Sequence, residues 1–91
     1  MMDFKQFLKE QIKKVDNDDD LVLLIYFNDS AMFKYHKGCF ADFQEDFCIL
    51  YEDKINMSFR YDSIVMMQLG SIKDITEKLG VDLIRTLFEE L

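Results

Sequence analysis

The feature that most constrains the fold is an unbroken apolar run of seven residues, LVLLIYF, at positions 21–27. The run is too short for a buried helix and is rich in residues that favour extended backbone. An acidic run, DNDDD at 16–20, precedes it, and a turn-forming triplet, NDS at 28–30, follows it. An apolar segment bounded in this way predicts a strand in the centre of a sheet.

Four further strands are predicted downstream of this run. Two segments alternate between apolar and polar residues, 31–37 and 55–61, and two are short apolar runs, 47–52 and 64–69. Gly38 predicts a bend or bulge in the second strand. Short turns at 53–54 and 62–63 join the last three strands. The sequence therefore predicts a five-stranded antiparallel sheet over residues 21–69, a meander that can curl into a small barrel.

An N-terminal helix is predicted to precede the strands. Asp3 is placed to cap it, and Gln6 stands three residues later in the capping-box position. Its apolar residues recur at helical spacing: Phe4, Phe7, Leu8, Ile12 and Val15. Together with the strands, this helix predicts an α+β fold in one domain of residues 1–91.

The C-terminal segment, residues 71–91, is predicted to be a pair of helices. Ser71 and Asp74 form a second capping-box pattern, and Gly80 suits the position after a helix end. The turn resembles that of a helix-turn-helix motif through Thr76, Leu79, Gly80 and Val81. The second helix offers Arg85 as its one base-reading candidate, whereas a recognition helix needs donors for bases and cations for phosphates. The helix pair is therefore expected to pack on the strands.

Charge is unevenly distributed along the chain. The formal net charge is −7, and residues 16–62 contribute eleven acidic and four basic side chains to it. An acidic surface repels phosphate backbones, so no direct nucleic-acid binding is expected. No apolar run reaches the length of a membrane span, and the first ten residues lack the apolar core of a secretory signal. We expect a cytoplasmic protein without membrane contact.

The sequence contains no recognisable catalytic or cofactor-binding motif. The acidic run at 16–20 begins like a calcium loop, but Leu21 and Phe27 stand where that loop needs Gly and Glu. His36 is the one histidine, and no local motif supplies a nucleophile or an orienting group for it. Cys39 and Cys48 fit no zinc pattern, so both are expected to be free, buried thiols. We expect no enzyme activity, no metal and no cofactor.

Part of the predicted strand region, GCFADFQEDFCILYED at 38–53, resembles the first motif of the Sm-like family. The matching positions are Gly38, Phe43, Phe47, Ile49, Leu50, Glu52 and Asp53. The resemblance implies a small Sm-like or SH3-like barrel and, as a function, nucleic-acid binding. Two departures from the family pattern weaken the expectation of nucleic-acid binding. Cys48 stands where the family has the Asn that reads RNA bases, and Tyr61 and Asp62 replace the Arg-Gly pair of its second motif.

The segment 43–69 also carries the features of a protein-binding surface. It is rich in aromatic residues and methionine, and carboxylates punctuate it. An apolar patch with an acidic rim suits a protein partner, although a core filled with Phe would explain the same composition. The predicted partner-binding residues are Phe43, as an apolar anchor, with Glu45, Asp46, Glu52, Asp53 and Asp62 as the acidic face.

Two main functional hypotheses follow, both of which involve binding, and the Sm-like nucleic-acid binder that the resemblance implies is a third, weaker one. The first is a small acidic module that occupies a basic surface on another protein, such as a nucleic-acid-binding enzyme. By analogy of size and charge, phage-encoded inhibitors of nucleases or defence complexes, and immunity proteins against nuclease toxins, place carboxylates where phosphates would lie. The alternative is a self-assembling structural or regulatory module, in which a homo-oligomer buries the surplus apolar surface.

Overall fold

The structure, a computed structural model, describes residues 3–75 and 77. It contains a helix, six strands and a short 3₁₀ helix, in the order α1 (Phe4–Asp16), β1 (Leu21–Phe27), β2 (Met32–Tyr35), β3 (Phe40–Phe43), β4 (Phe47–Glu52), β5 (Ile55–Arg60), η1 (Tyr61–Ser63) and β6 (Ile64–Ser71). The chain is helical again at residues 72–75. The predicted α+β class is confirmed.

The six strands form two antiparallel sheets of three strands each. Sheet A has the order β2-β1-β6, and sheet B has the order β3-β4-β5. In sheet A, β6 runs back along β1, from Ile64 opposite Phe27 to Ser71 opposite Leu21. The predicted central position of β1 is therefore confirmed, because this strand has a partner on each side.

The predicted five-stranded sheet is not confirmed, and the difference begins at residues 36–39. The chain reverses there, with the Cys39 N–H donating to the His36 carbonyl at 2.9 Å. Gly38 thus lies in a turn and not within a strand. The residues that follow form β3, an additional strand that pairs with β4 and places Phe40 opposite Tyr51. This turn transfers the chain from sheet A to sheet B.

Both predicted helix caps are present. The Asp3 carboxylate accepts a hydrogen bond of 2.7 Å from the Gln6 N–H at the start of α1. The Ser71 hydroxyl accepts one of 3.1 Å from the Asp74 N–H where the chain becomes helical again. The rest of the predicted helix pair, 78–91, lies outside the described residues, and so does most of the part that resembles a helix-turn-helix motif.

One core lies between α1 and the inner faces of the two sheets. Its fully buried side chains are Leu8, Val15, Leu23, Ile25, Tyr35, Cys48 and Leu50. Phe27 of sheet A and Phe59 of sheet B join the two sheets, with ring centroids 4.7 Å apart. Burial of an aliphatic or Phe side chain of this kind contributes about 1.5–3 kcal/mol. Both cysteines are free and buried, as predicted.

Sheet A is also covered at one end of its second face, the one turned away from this core, whereas Met32 at the other end of that face is 45% exposed. Val22 and Leu24 point to that face and are only 3% and 1% exposed. Ile75 lies against the same face at Gly70, where its side chain comes within 3.2 Å of the position that a Cβ would occupy. The Ile72 N–H donates to the Asp20 carbonyl at 2.7 Å, which attaches the start of this helical segment to the turn before β1.

Candidate functional site

The turns gather at two opposite ends of the strands, and this arrangement decides where the charges lie. One end, called here the η1 end, consists of residues 28–31, 44–46 and 60–63. Two hydrogen bonds join these segments: the Asn28 N–H donates to the Ser63 carbonyl at 2.9 Å, and the Tyr61 hydroxyl donates to the Gln44 carbonyl at 2.7 Å. The η1 end carries four carboxylates, those of Asp29, Glu45, Asp46 and Asp62.

The other end, called here the His36 end, consists of residues 16–20, 36–39 and 52–54. The Tyr35 hydroxyl donates to the Asp16 carboxylate at 3.1 Å, and Lys37 forms an ion pair with Asp19. His36 Nε2 lies 3.7 Å from Glu52 Oε1. This end carries six carboxylates, those of Asp16, Asp18, Asp19, Asp20, Glu52 and Asp53.

The structure divides the predicted acidic residues between these two ends. Glu45, Asp46 and Asp62 lie at the η1 end, whereas Glu52 and Asp53 lie at the His36 end. The six residues of β4 separate the two groups, a distance of about 17 Å along the strand. The five carboxylates therefore do not form one continuous acidic face.

Two of the predicted residues have local partners that change their role. Phe43 is half-buried and packs against the core, with Lys9 Nζ 5.6 Å from its ring centroid. It is not the exposed anchor that the sequence suggested. Asp62 accepts a hydrogen bond of 3.0 Å from Arg60, so its charge is partly neutralised. Exposed ion pairs of this kind contribute about 0–1 kcal/mol to stability.

An exposed apolar surface lies between the two acidic ends, on the outer side of sheet B. We call it the outer apolar face, and it consists of Phe40, Phe47, Ile49 and Tyr51. Phe40 is 64% exposed, Phe47 42% and Tyr51 36%. The rings of Phe40 and Tyr51, which are cross-strand neighbours, have centroids 6.0 Å apart. Such a pair is a preformed contact surface, because neighbouring aromatic rings on a sheet restrict each other.

This face was not predicted from the sequence, although the alternation of β4 contained the signal. Cys48 and Leu50 are fully buried, so the residues on either side of them must point to the opposite face. Phe47, Ile49 and Tyr51 are therefore outward residues despite their apolar character. Phe40 joins them only through its pairing with Tyr51, which sequence reading could not supply because it did not predict β3.

The pKa of the Cys48 thiol, on the inner face of sheet B, argues against thiol chemistry there. Burial, together with the charge of Asp42, raises the pKa of the Cys48 thiol to about 12. The thiol is therefore protonated near neutral pH and is a poor nucleophile. The same burial affects the Sm-like resemblance, because a fully buried side chain at position 48 does not reach an RNA base.

Three side chains at the His36 end could hold a metal ion. The donor atoms of His36, Cys39 and Glu52 all lie within 4.8 Å of one another. These three residues were not predicted to lie together, since His36 and Glu52 are distant in the sequence and meet only because of the turn at 36–39. The one local signal was the spacing of His36 and Cys39, with a glycine between them.

Among the residues that the structure describes, no helix combines the length and the apolar character needed to cross a membrane. The comparisons with protein-family models, with curated proteins and with solved structures gave no significant match. The function is therefore inferred from the chemistry and geometry of this chain.

Proposed function

We propose that the protein is a small acidic binding module whose outer apolar face docks on a basic surface of another protein. One observation supports the proposal above all others. Phe40 and Tyr51 are exposed as cross-strand neighbours, Phe47 is exposed further along the same face of β4, and acidic turns lie at both ends of that face.

The apolar part of this surface is suited to an interface centre. Exposed single apolar residues are ordinary, but adjacent aromatic residues on a sheet favour association. Tyr and other aromatic side chains are common among residues whose truncation costs the most binding energy. Phe40 has the most surface to bury, because it is 64% exposed.

The acidic ends suit a basic partner. Charges at the rim of an interface act mainly on the rate of association, whereas buried anchors act on dissociation. Glu45 and Asp46 immediately precede Phe47, and Glu52 and Asp53 follow Tyr51, so carboxylates flank the apolar face at each end. A nucleic-acid-binding enzyme, such as a nuclease or a defence complex, offers a basic surface of this kind. A cytoplasmic, non-enzymatic inhibitor that mimics nucleic acid is thus the specific form of the proposal.

The test uses capture of proteins from the native host, with variants that separate the two parts of the surface. A Phe40→Ser/Tyr51→Ser variant removes the anchors, and a Glu45→Lys/Asp46→Lys variant reverses rim charges. Val65→Ser is the matched control, since Val65 is 62% exposed but lies in sheet A. We expect one partner that the native chain and the control retain, that the anchor variant loses and that the charge variant binds more weakly.

A second measurement tests whether the protein mimics nucleic acid. The captured partner is titrated with labelled nucleic acid in the presence of the purified protein, and competition is expected. Capture that is equally strong for the native chain and for both surface variants would contradict the whole proposal. If the variants capture the partner as expected but the protein does not compete with nucleic acid, the proposed binding function stands and nucleic-acid mimicry is rejected.

Self-assembly is the second candidate function, and the same face supports it. β3 and β5 are the edges of sheet B, and edge strands with exposed apolar residues favour pairing between copies. Light scattering over a concentration series distinguishes the candidates. A stable oligomer that becomes monomeric in the Phe40→Ser/Tyr51→Ser variant would favour self-assembly, and a monomer at all concentrations would favour a separate partner.

A further inference from the structure

A group of nitrogen, sulfur and oxygen donors lies at the His36 end, beside the outer apolar face, and shares Glu52 with its acidic rim. Within residues 3–75 and 77, His36, Cys39 and Glu52 form the one group of three metal-ligating side chains whose donor atoms lie within 4.8 Å of one another. We propose that these three residues form a binding site for a divalent transition-metal ion, with Zn²⁺ as the best fit. The inference does not depend on the proposed binding function.

The fold brings the three residues together through one turn and one strand pairing. His36 and Cys39 occupy the ends of the turn between β2 and β3, which the 2.9 Å bond from the Cys39 N–H to the His36 carbonyl closes. Phe40 pairs with Tyr51, and the same antiparallel register, continued by one residue, sets Cys39 beside Glu52. The ligands thus lie on two chain segments that the sheet holds in fixed register.

Gly38 allows the His36 ring to reach this position. The ring lies over the turn, 3.1 Å from the place that a Cβ on residue 38 would occupy, so a larger residue would displace it. The Gly38 N–H donates to His36 Nδ1 at 3.2 Å, and Nε2 faces Glu52 Oε1 at 3.7 Å. Coordination through Nε2 places the ring proton on Nδ1, so the Gly38 hydrogen bond is exchanged for the metal bond.

The donor set selects the kind of ion. Thiolate and imidazole ligands favour zinc and similar transition metals, whereas calcium and magnesium prefer oxygen ligands alone. Tetrahedral zinc with these ligands separates its donor atoms by roughly 3.3–3.6 Å. A separation of 4.8 Å must therefore shorten by about 1.2–1.5 Å, through rotation of the His36 and Glu52 side chains. Those two side chains are 37% and 45% exposed, so an ion can enter from solvent.

The charges around Cys39 also favour a cation. The carboxylates of Glu52 and Asp16 lie near the Cys39 thiol, together with the Lys34 ammonium group. Lys37, the cation of the same turn, is paired with Asp19. A bound divalent ion offsets the two carboxylates and stabilises the thiolate, while the thiol proton passes to solvent. Three protein ligands leave the fourth position of the ion open to water.

The experiment is a titration of the full chain, free of any affinity tag, with Co²⁺ as a spectroscopic substitute for Zn²⁺. We expect saturation at one ion per chain, visible bands of tetrahedral cobalt and a near-ultraviolet charge-transfer band from the thiolate. Zn²⁺ should then displace the cobalt and remove these bands. An unsaturable response, or bands without the thiolate contribution, would overturn the proposal.

Matched variants assign the ligands. Cys39→Ser should remove the thiolate band, and Cys48→Ala, which changes the other buried cysteine, should retain it. Glu52→Gln should weaken cobalt binding about tenfold or more, whereas Asp53→Asn, a change of the neighbouring carboxylate, should leave it unaltered. If Cys39→Ser does not fold, the pair of carboxylate variants decides the outcome, because both residues are partly or fully exposed. Equal cobalt affinity in these two variants would exclude Glu52 as a ligand and contradict the site as proposed.

Discussion

The central strands of the two sheets have similar compositions and different environments. β1 in sheet A and β4 in sheet B each carry apolar residues on both faces. In sheet A the face away from the shared core is covered near the start of β1, where Leu24 is 1% exposed, while Met32 at the other end of that face is 45% exposed. In sheet B the corresponding face leaves Phe47 42% and Tyr51 36% exposed. An apolar central strand therefore predicts a place within a sheet, but it does not predict that both faces of the sheet are covered.

The largest expected effect tests this difference with two aliphatic residues. Leu24 and Ile49 lie in the central strands of the two sheets, each on the face away from the common core. Leu24→Ala should lower the free energy of unfolding by about 2–5 kcal/mol, because it leaves a cavity. Ile49→Ala should cost about 1 kcal/mol, because Ile49 is only half-buried. Urea denaturation measures both, and equal losses would show that the two outer faces are covered alike.

The second prediction concerns the inner face of sheet B and its dependence on pH. The Cys48 pKa is raised from 9.0 to about 12, so the thiol stays protonated in the folded chain while it ionises in the unfolded chain. The contribution of the protonated Cys48 thiol to the free energy of unfolding is fully present below pH 9. It is lost as the pH rises towards 12, by up to about 1.4 kcal/mol per pH unit. The slope of unfolding free energy against pH in this range should be smaller in Cys48→Ala than in the native chain. An unchanged slope would show that Cys48 ionises equally well in both states.

A smaller effect is expected at the helical segment that begins to cover sheet A. Ser71→Ala removes the side-chain acceptor of the Asp74 N–H and should cost about 1 kcal/mol. Ser58→Ala is the control, since Ser58 is exposed on the uncovered side of sheet B and should change stability by no more than about 0.5 kcal/mol. Thermal or urea unfolding compares the two variants. A larger loss for Ser58→Ala would mean that the outer side of sheet B is the more constrained surface.

The smallest effect on stability is expected at the acidic rim. Glu45→Lys/Asp46→Lys should change the unfolding free energy by no more than about 0.5 kcal/mol, because both side chains are exposed. The same change should slow association with the captured partner and flatten its salt dependence, whereas Phe40→Ala should speed dissociation. Stopped-flow or surface-based kinetics over a salt series measures both rates. Association that is insensitive to the charge reversal would show that these acids only solvate the turn.

The structural elements that depend on residues close together in the sequence were predicted from local sequence patterns. The strands β1 and β5 and the caps at Asp3 and Ser71 depend on neighbouring residues, and all four were predicted, although Ile55, expected to point inward, is 71% exposed. β3 was missed because residues 31–37 continue an alternating pattern into the turn at 36–39. Only the reversal of the chain there, which a His-Lys-Gly-Cys turn permits, separates β2 from β3.

The candidate site was harder to predict because strand direction decides which turns meet. Glu45 and Glu52 are close in sequence, yet β4 carries them to opposite ends of the sheet. His36 and Glu52 are distant in sequence, yet the pairing of β3 with β4 brings them within 3.7 Å. The first outcome follows from β4 alone, a strand that was predicted, whereas the second requires the register of β3, an element with only a weak signal in the sequence.

The position of β6 beside β1 has a consequence for synthesis of the chain. The hairpins β3–β4 and β4–β5 are local and can form soon after their residues leave the ribosome. Sheet A, in contrast, is completed only when Ile64–Ser71 returns to Leu21–Phe27, so the most apolar strand has one open edge while the intervening residues are made. An open apolar edge is a template for aggregation. Chains whose synthesis stops before residue 64 should therefore be insoluble unless chaperones bind them. Chains that include β6 cover the open edge of β1 themselves.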